Sequence, residues 1–445
     1  MTHFSRLSLF LSAALLSSFL PDPAPCRAAP LTVLHTFGAG GPIRLKRGDR
    51  QNLDGARPFA ALIQGRDGAL YGTSLNGGAH GIGAVFRVNP DGTGFAVLHS
   101  FDALNFGAFS GLTNGGGTLP SGSLVQAADG TLYGAAEMGG SEGSGLVFKM
   151  QPDGTGFQSV HNFGRLAEWV IGRNGGGAAP AALTLAADGL LYGVALYDGP
   201  DGGGVVFRLG QNGKEFKVLH AFRGVVRDKE TNEGGARPEA APVFGRDGAL
   251  YGTTASGGKD GCGVIFRLTA DGSQFAVLHH FQRRGPESGA GSVFPEGPLT
   301  PSHDGFLYGS TAQGGAGDGG TLFRIGQDGA QWTVLHTFPG PRDDGSDGRL
   351  PAGMPILGRD GRLYGLTGSG GANTVGTVFW ASPDGAKFVV LHDFGLPDAA
   401  YHNADGAYPR VGLLQGRDGA LYGVSAGGGP NGTGTVFRLV PPRAR

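Results

Sequence analysis

Residues 58–101 read PFAALIQGRDGALYGTSLNGGAHGIGAVFRVNPDGTGFAVLHSF, and this stretch recurs with drift down almost the whole chain. Its Leu-Tyr-Gly triplet returns at Tyr71, Tyr133, Tyr192, Tyr251, Tyr308, Tyr364 and Tyr422, at steps of 62, 59, 59, 57, 56 and 58 residues. A near-constant period marks a repeat architecture, in which each unit buries its apolar faces only against its neighbours. Four short runs rich in aromatic and aliphatic residues predict four strands per unit: Phe59–Gln64, Ala69–Leu75, Gly83–Asn89 and Phe95–Phe101. Asp-Gly joins the first pair in every unit, at Asp67, Asp129, Asp188, Asp247, Asp304, Asp360 and Asp418. Asx-Gly joins the last pair at Asp91, Asp153, Asn212, Asp271, Asp328 and Asp384. Such dipeptides between apolar runs signal hairpins, here expected with positive φ at both central residues. A longer Gly-rich loop joins the middle pair, so each unit is a four-stranded antiparallel meander. Meanders repeated radially make an all-β propeller.

The fourth strand carries His-x-Phe at His99, His161, His220, His279, His336 and His392, and the seventh unit stops at Phe437 without it. The missing copy stands at the other end, in Leu31-Thr-Val-Leu-His35-Thr-Phe37. The expectation is therefore a seven-bladed β-propeller over residues 30–445, with segment 31–37 as the outer strand of the last blade. Closure of this kind removes open sheet edges. Alternation places each His-x-Phe histidine against a neighbouring blade, as a structural residue.

Charged residues make up only 16% of the chain, while 88 glycines fit tight turns and close strand contacts. The net charge of −1, with no recurrent basic cluster, leaves nucleic-acid binding without an electrostatic footprint. Residues 1–29 read as a cleaved signal peptide: Arg6, the apolar run Leu7–Leu20, then Cys26-Arg-Ala-Ala29. That implies a secreted, periplasmic or extracellular protein with no membrane span in the mature chain, and a monomer is expected. Once the leader is cut, Cys262 is the remaining cysteine, so no intramolecular disulfide is expected.

The run from Asp67-Gly-Ala-Leu-Tyr-Gly through Gly-Ala-Val-Phe-Arg to Leu-His-Ser-Phe101 resembles the GloVer-type tandem repeat of bacterial exported, choice-of-anchor proteins, and all seven units match. The resemblance implies export and a repeat scaffold, and it supplies no catalytic residue. Members vary in their C-terminal anchor, and no anchor is visible here.

Five links, starting at Asn52, Asn114, Asn174, Asn232 and Asn403, share Asn-x-[Asp/Gly]-Gly-x-x-Pro, and the links must emerge beside the middle loops on one face of the disc. Function belongs on that loop face. One position after the link proline the units carry Phe59, Ser121, Ala181, Glu239, Glu296, Ala352 and Arg410. Glu239, Glu296 and Arg410, with Tyr401, His402 and Asp405 in the adjoining link and Trp169 in another, are the candidate binding rim. A solvated rim without function is the plainer account. Two Gly-x-Ser-x-Gly strings, at Gly139–Gly143 and Gly423–Gly427, lack the strand-to-helix turn of a hydrolase. No cofactor is expected. Asp198 with Asp201, and Asp343, Asp344 and Asp347, place oxygen ligands close together in loops as Ca2+ prefers, with solvated turns the simpler reading. The chain thus reads as a non-catalytic binding or scaffold module for a glycan or protein ligand. The alternative is a glycan-cleaving lyase or hydrolase using the rim carboxylates with His402 and Arg410. A lactonase-like metal propeller is weaker, since its ligand positions here carry mostly Ala, Gly or Ser.

Overall fold

The computed structural model describes residues 30–38, 52–103, 105–107, 111–164, 175–225, 231–282, 292–295, 297–341, 343 and 345–443. Seven four-stranded antiparallel sheets form a ring, a seven-bladed β-propeller with no helix among the described residues. Blade one runs Ile63–Gln64, Leu70–Asn76, Ala84–Val88 and Ala96–Ser100, from the channel outward. Blade seven has Leu414–Gln415, Leu421–Ser425 and Thr435–Leu439, and its outer strand is the N-terminal Leu31–Thr36. The pairing runs from Leu31↔Leu439 to Thr36↔Thr435, so the ring closes through the strand expected from the displaced His-x-Phe copy.

The repeated residues now have reasons. Each Leu-Tyr-Gly glycine lies opposite the phenylalanine of the third strand: Gly72 pairs with Phe86 and Gly252 with Phe266. A Cβ on Gly252 would come within 2.5 Å of the Phe266 ring, so glycine is needed for close approach. The hydroxyls of Tyr71, Tyr192, Tyr251, Tyr364 and Tyr422 turn back to the Asp-Gly aspartates, Tyr71 to Asp67 at 2.7 Å and Tyr364 to Asp360 at 2.6 Å, while that of Tyr133 donates to Gln211. The rings themselves are buried between blades.

Three local details differ from expectation. In the Asp-Gly turns only the glycine has positive φ, 87° at Gly68. Gly68 N–H donates to Gly65 O, Gly65 N–H donates to Ala69 O, and Asp67 Oδ1 accepts from Ala69 N–H. These are type I turns closed by a left-handed glycine, with the aspartate as an Asx cap rather than a left-handed residue. The innermost strand is also short, two residues in blade one, though blades three and six extend it to Ala178–Leu185 and Arg349–Leu357. Finally, every outer strand carries a bulge before its histidine, as between Val85 and Phe86 opposite Val97 and His99.

Adjacent blades are joined at the link proline. A Cβ on Gly83, Gly145, Gly204, Gly263, Gly320, Gly376 or Gly434 would meet the Cδ of Pro120, Pro180, Pro238, Pro295, Pro351, Pro409 or Pro58 in the next blade. The residue before each of those prolines (Arg57, Leu119, Ala179, Arg237, Phe294, Leu350, Tyr408) is left-handed, with φ between 51° and 58°. Such a backbone costs about 1–2 kcal/mol. It is held in place because the N–H donates to the preceding blade: Arg57 to Thr433 O at 2.9 Å, Arg237 to Gly203 O at 2.8 Å, Tyr408 to Val375 O at 2.8 Å. The same contacts thus run from blade seven to blade one as between interior blades.

Candidate functional site

The link proline leads into the inner strand of each blade, so the residues on either side of it lie on the loop-face side of that strand. Sevenfold repetition makes most of them small or apolar; Arg57, Glu296, Tyr408 and Arg410 depart from this in blades one, five and seven, and a group of departures in blades two to four makes side-chain contacts. Glu239 accepts from Arg237 Nη2 at 2.9 Å. Arg237 in turn reaches the Tyr197 hydroxyl at 3.5 Å, with its guanidinium 5.5 Å from that ring centre. Tyr197 is 47% exposed, with the Arg237 guanidinium over its ring. Glu137 ends the second strand of blade two, beside the Ser121 hydroxyl. Burial pushes the Glu137 carboxyl above the usual carboxylate range, the charge of Glu239 adds to this, and the Ser121 hydrogen bond opposes it. Burial raises Glu239 as well, against the pull of Arg237. Glu137 therefore feels the charge of Glu239, although 102 positions separate them in the chain.

Of the residues singled out in the sequence, Glu239 belongs to this cluster. Arg410 is exposed at the corresponding place in blade seven. Glu296 and Trp169 lie outside the described residues, as does the leader. Tyr401 is 63% exposed at φ 65°, in a turn where Asp398 Oδ1 accepts from the Ala400 and His402 N–H groups. The His402 ring lies 3.8 Å from Asp398. Asp405 faces the other way: its carboxylate meets His392 Nε2 at 2.8 Å and accepts from Gly395 N–H at 3.0 Å. Asp405 thus braces blade six, and the structure does not bring it together with Glu239. Glu137, Arg237 and Tyr197 went unnoticed in the sequence. Aligning the units would have exposed Glu137, which stands where the others carry Leu75, Leu196, Ala255, Ala312, Gly368 and Ala426.

The remaining motifs have structural employment. Ser425 is buried and shares hydrogen bonds with Thr435 Oγ1 at 3.0 Å, as part of a strand pair. Asp198, itself buried, replaces the first glycine of the middle loop at φ 64°. Asp343 accepts from Gly340 N–H at 2.7 Å, and Asp347 lies 3.3 Å from His336. Asp344 lies outside the described residues. No three His, Cys, Asp or Glu side chains converge among the described residues.

Fold and mouth together define a seven-bladed propeller with an asymmetric polar loop face. The chain belongs to the Gloeobacter/Verrucomicrobia repeat family, matched over residues 43–236, 181–394 and 237–445. No curated protein matches it. Similar solved structures include the GH74 xyloglucanase from Xanthomonas campestris, at 13% identity and TM-score 0.53, covering 89% of this chain and 52% of that one. This chain therefore spans about half the length of that enzyme. A gluconolactonase from Xanthomonas campestris covers 93% of this chain and 98% of its own at 16% identity and TM-score 0.39. A nidogen/laminin complex chain covers 70% and 90% at 11% identity and TM-score 0.39. At these identities the likeness is one of fold.

Proposed function

We propose that this is an exported binding propeller that holds a glycan, without turnover, at the loop-face mouth between blades two and four. The observation that carries the reading is that Ser121, Glu137, Tyr197 and Glu239 break the sevenfold symmetry, with Arg237 joining Tyr197 to Glu239. An exposed tyrosine ring suits the apolar side of a pyranose, and fixed donors and acceptors around it suit hydroxyl groups. An oligosaccharide array followed by titration calorimetry tests this. Tyr197→Ala and Glu239→Gln should each weaken binding of the array hits by about tenfold or more, a loss of about 1.4 kcal/mol. Unchanged affinity in both variants refutes the site. Export through residues 1–29 is checked by sequencing the secreted protein, whose first residue should be Pro30.

A second reading, a glycan-cleaving enzyme, draws on the carboxyls of Glu137 and Glu239, which burial shifts upward in the direction a general acid requires. Polysaccharide turnover that is lost in Glu137→Gln and Glu239→Gln would displace the non-catalytic reading.

A further inference from the structure

The turns between first and second strands lie beside the channel, on the face opposite the links. The residue before the turn aspartate is Arg66, Ala128, Ala187, Arg246, His303, Arg359 and Arg417 in blades one to seven. Blades four to seven and then one, five in succession, thus carry arginine or histidine there, and all five side chains are exposed. Alanine breaks the arc in blades two and three.

The arc is held in place by its neighbours. Arg359 Nη1 donates to Arg417 O at 3.1 Å, and the Arg417 guanidinium donates to Arg66 O at 3.2 Å and Gly65 O at 3.0 Å. Arg246 donates in the same way to His303 O. The main chain beneath is fixed as well. The N–H groups of Arg359, Arg417 and Arg66 donate to the Oε1 atoms of Gln415, Gln64 and Gln126 in the next blade, at 2.9, 2.9 and 2.8 Å. Those glutamines donate in turn to Gly419, Gly68 and Gly130 O of their own turns. The Arg66 guanidinium has no hydrogen bond or ion pair among the described residues.

The acids of the same turns are engaged elsewhere. Asp67, Asp360 and Asp418 accept from the N–H groups of Ala69, Arg362 and Ala420 and from the hydroxyls of Tyr71, Tyr364 and Tyr422. Asp418 also pairs with Arg438 at 2.8 Å, Asp360 with Arg362 at 3.7 Å, and Asp247 with Arg267 at 2.6 Å. No ion pair among the described residues uses Arg66, Arg246, Arg359 or Arg417.

We propose that this arc binds an acidic polysaccharide, a chain carrying carboxylate or sulfate groups along its length. Guanidinium forks match the paired oxygens of either group. Each described guanidinium bond runs toward the next blade, so the charges follow the rim one to a blade and do not converge on a point. That suits a chain with repeated anions better than one compact ion. A single-stranded nucleic acid needs aromatic platforms between the charges. The turns Gly358–Arg362, Gly416–Ala420 and Gly65–Ala69 supply none. One exposed ion pair contributes little, so affinity has to come from several engaged together. The arc lies on the opposite face from the Glu137–Glu239 cluster and does not depend on the binding reading given for it.

Biolayer interferometry of the full chain against polygalacturonate, dextran sulfate and neutral dextran tests this. At least one acidic chain should bind and dextran should not, with several-fold weaker binding as salt rises from about 50 to about 200 mM. Comparing the two acidic chains tells carboxylate from sulfate. Arg66→Gln should weaken binding about two- to fivefold, the usual contribution of one exposed pair, with an unchanged melting temperature. Combining it with Arg359→Gln and Arg417→Gln should weaken binding about tenfold or more. Lys259→Gln, which removes an exposed cation from a middle loop on the other face, and Tyr197→Ala should change nothing. Undiminished binding in Arg66→Gln, or an equal loss in Lys259→Gln or Tyr197→Ala, would overturn the site. Binding of polyphosphate alone, or of neither acidic chain at the lower salt, would overturn the ligand class.

Discussion

Two glycines that look alike in the sequence do different work. Gly252 has no left-handed backbone, and what excludes a side chain there is the Phe266 ring opposite it. Gly252→Ala should cost about 1–3 kcal/mol by overpacking, read as a lower urea midpoint with unchanged slope. Gly145 sits at φ 94°, and a Cβ there would meet Pro180 of blade three at 2.5 Å and the Ala136 carbonyl oxygen at 2.6 Å. Gly145→Ala combines backbone strain with a clash against groups that cannot rotate away, so its loss should exceed the gain of about 0.4–1 kcal/mol seen where such a change is compatible. Phe266→Ala, at a fully buried site, should cost about 3–5 kcal/mol. Asp-Gly pairs and the Leu-Tyr-Gly triplet were readable because each acts through near neighbours. The left-handed residue before each link proline was not readable. Arg57, Phe294 and Tyr408 have nothing in common except a carbonyl of the preceding blade waiting for their N–H.

The closing strand is the element on which the ring depends. Removing residues 31–37 deletes the partner of Thr435–Leu439 and takes Phe37 out of the core between blades seven and one. Thermal melting should drop sharply, and an unchanged transition temperature would contradict the closure. Leu31 lies opposite Leu439, at the end where other blades have their Asx-Gly hairpin. A permuted chain that starts at residue 52 and joins Val440 to Leu31 through Pro-Asp-Gly-Thr-Gly should therefore fold. Replacing a ring-long closure with a local turn shortens the loop that must be ordered. Its unfolding rate in urea should be no faster than that of the parent. The accessory pairings, such as Asn232–Ala236 with Ser256–Gly258, escaped sequence reading because Gly-rich strands carry no apolar alternation.

At the scale of the molecule, symmetry organises stability and its violations organise the site. Arg417 shows how closely the seventh blade treats the first as its successor. Its N–H donates to Gln64 Oε1 at 2.9 Å and its guanidinium reaches Gly65 O at 3.0 Å. Within blade seven Tyr422 packs into the core shared with blade one. The mouth cluster has no such repetition, so substitutions there should separate binding from stability. Glu137→Gln should lower glycan affinity by several-fold without lowering the melting temperature, because it keeps the side chain's shape while removing a carboxylate that burial disfavours.

The sequence by itself determined the number of blades, the four strands in each, and the strand that closes the ring. Those follow from spacing, turn chemistry and a displaced motif, all short-range signals stated seven times over. It also offered Glu239, as a departure from the repeat. The tertiary structure decided which departures meet. It brought Glu137, Tyr197 and Arg237 to Glu239 and turned Asp405 toward His392, because neighbours across a channel are set by the geometry of the ring and not by distance along the chain.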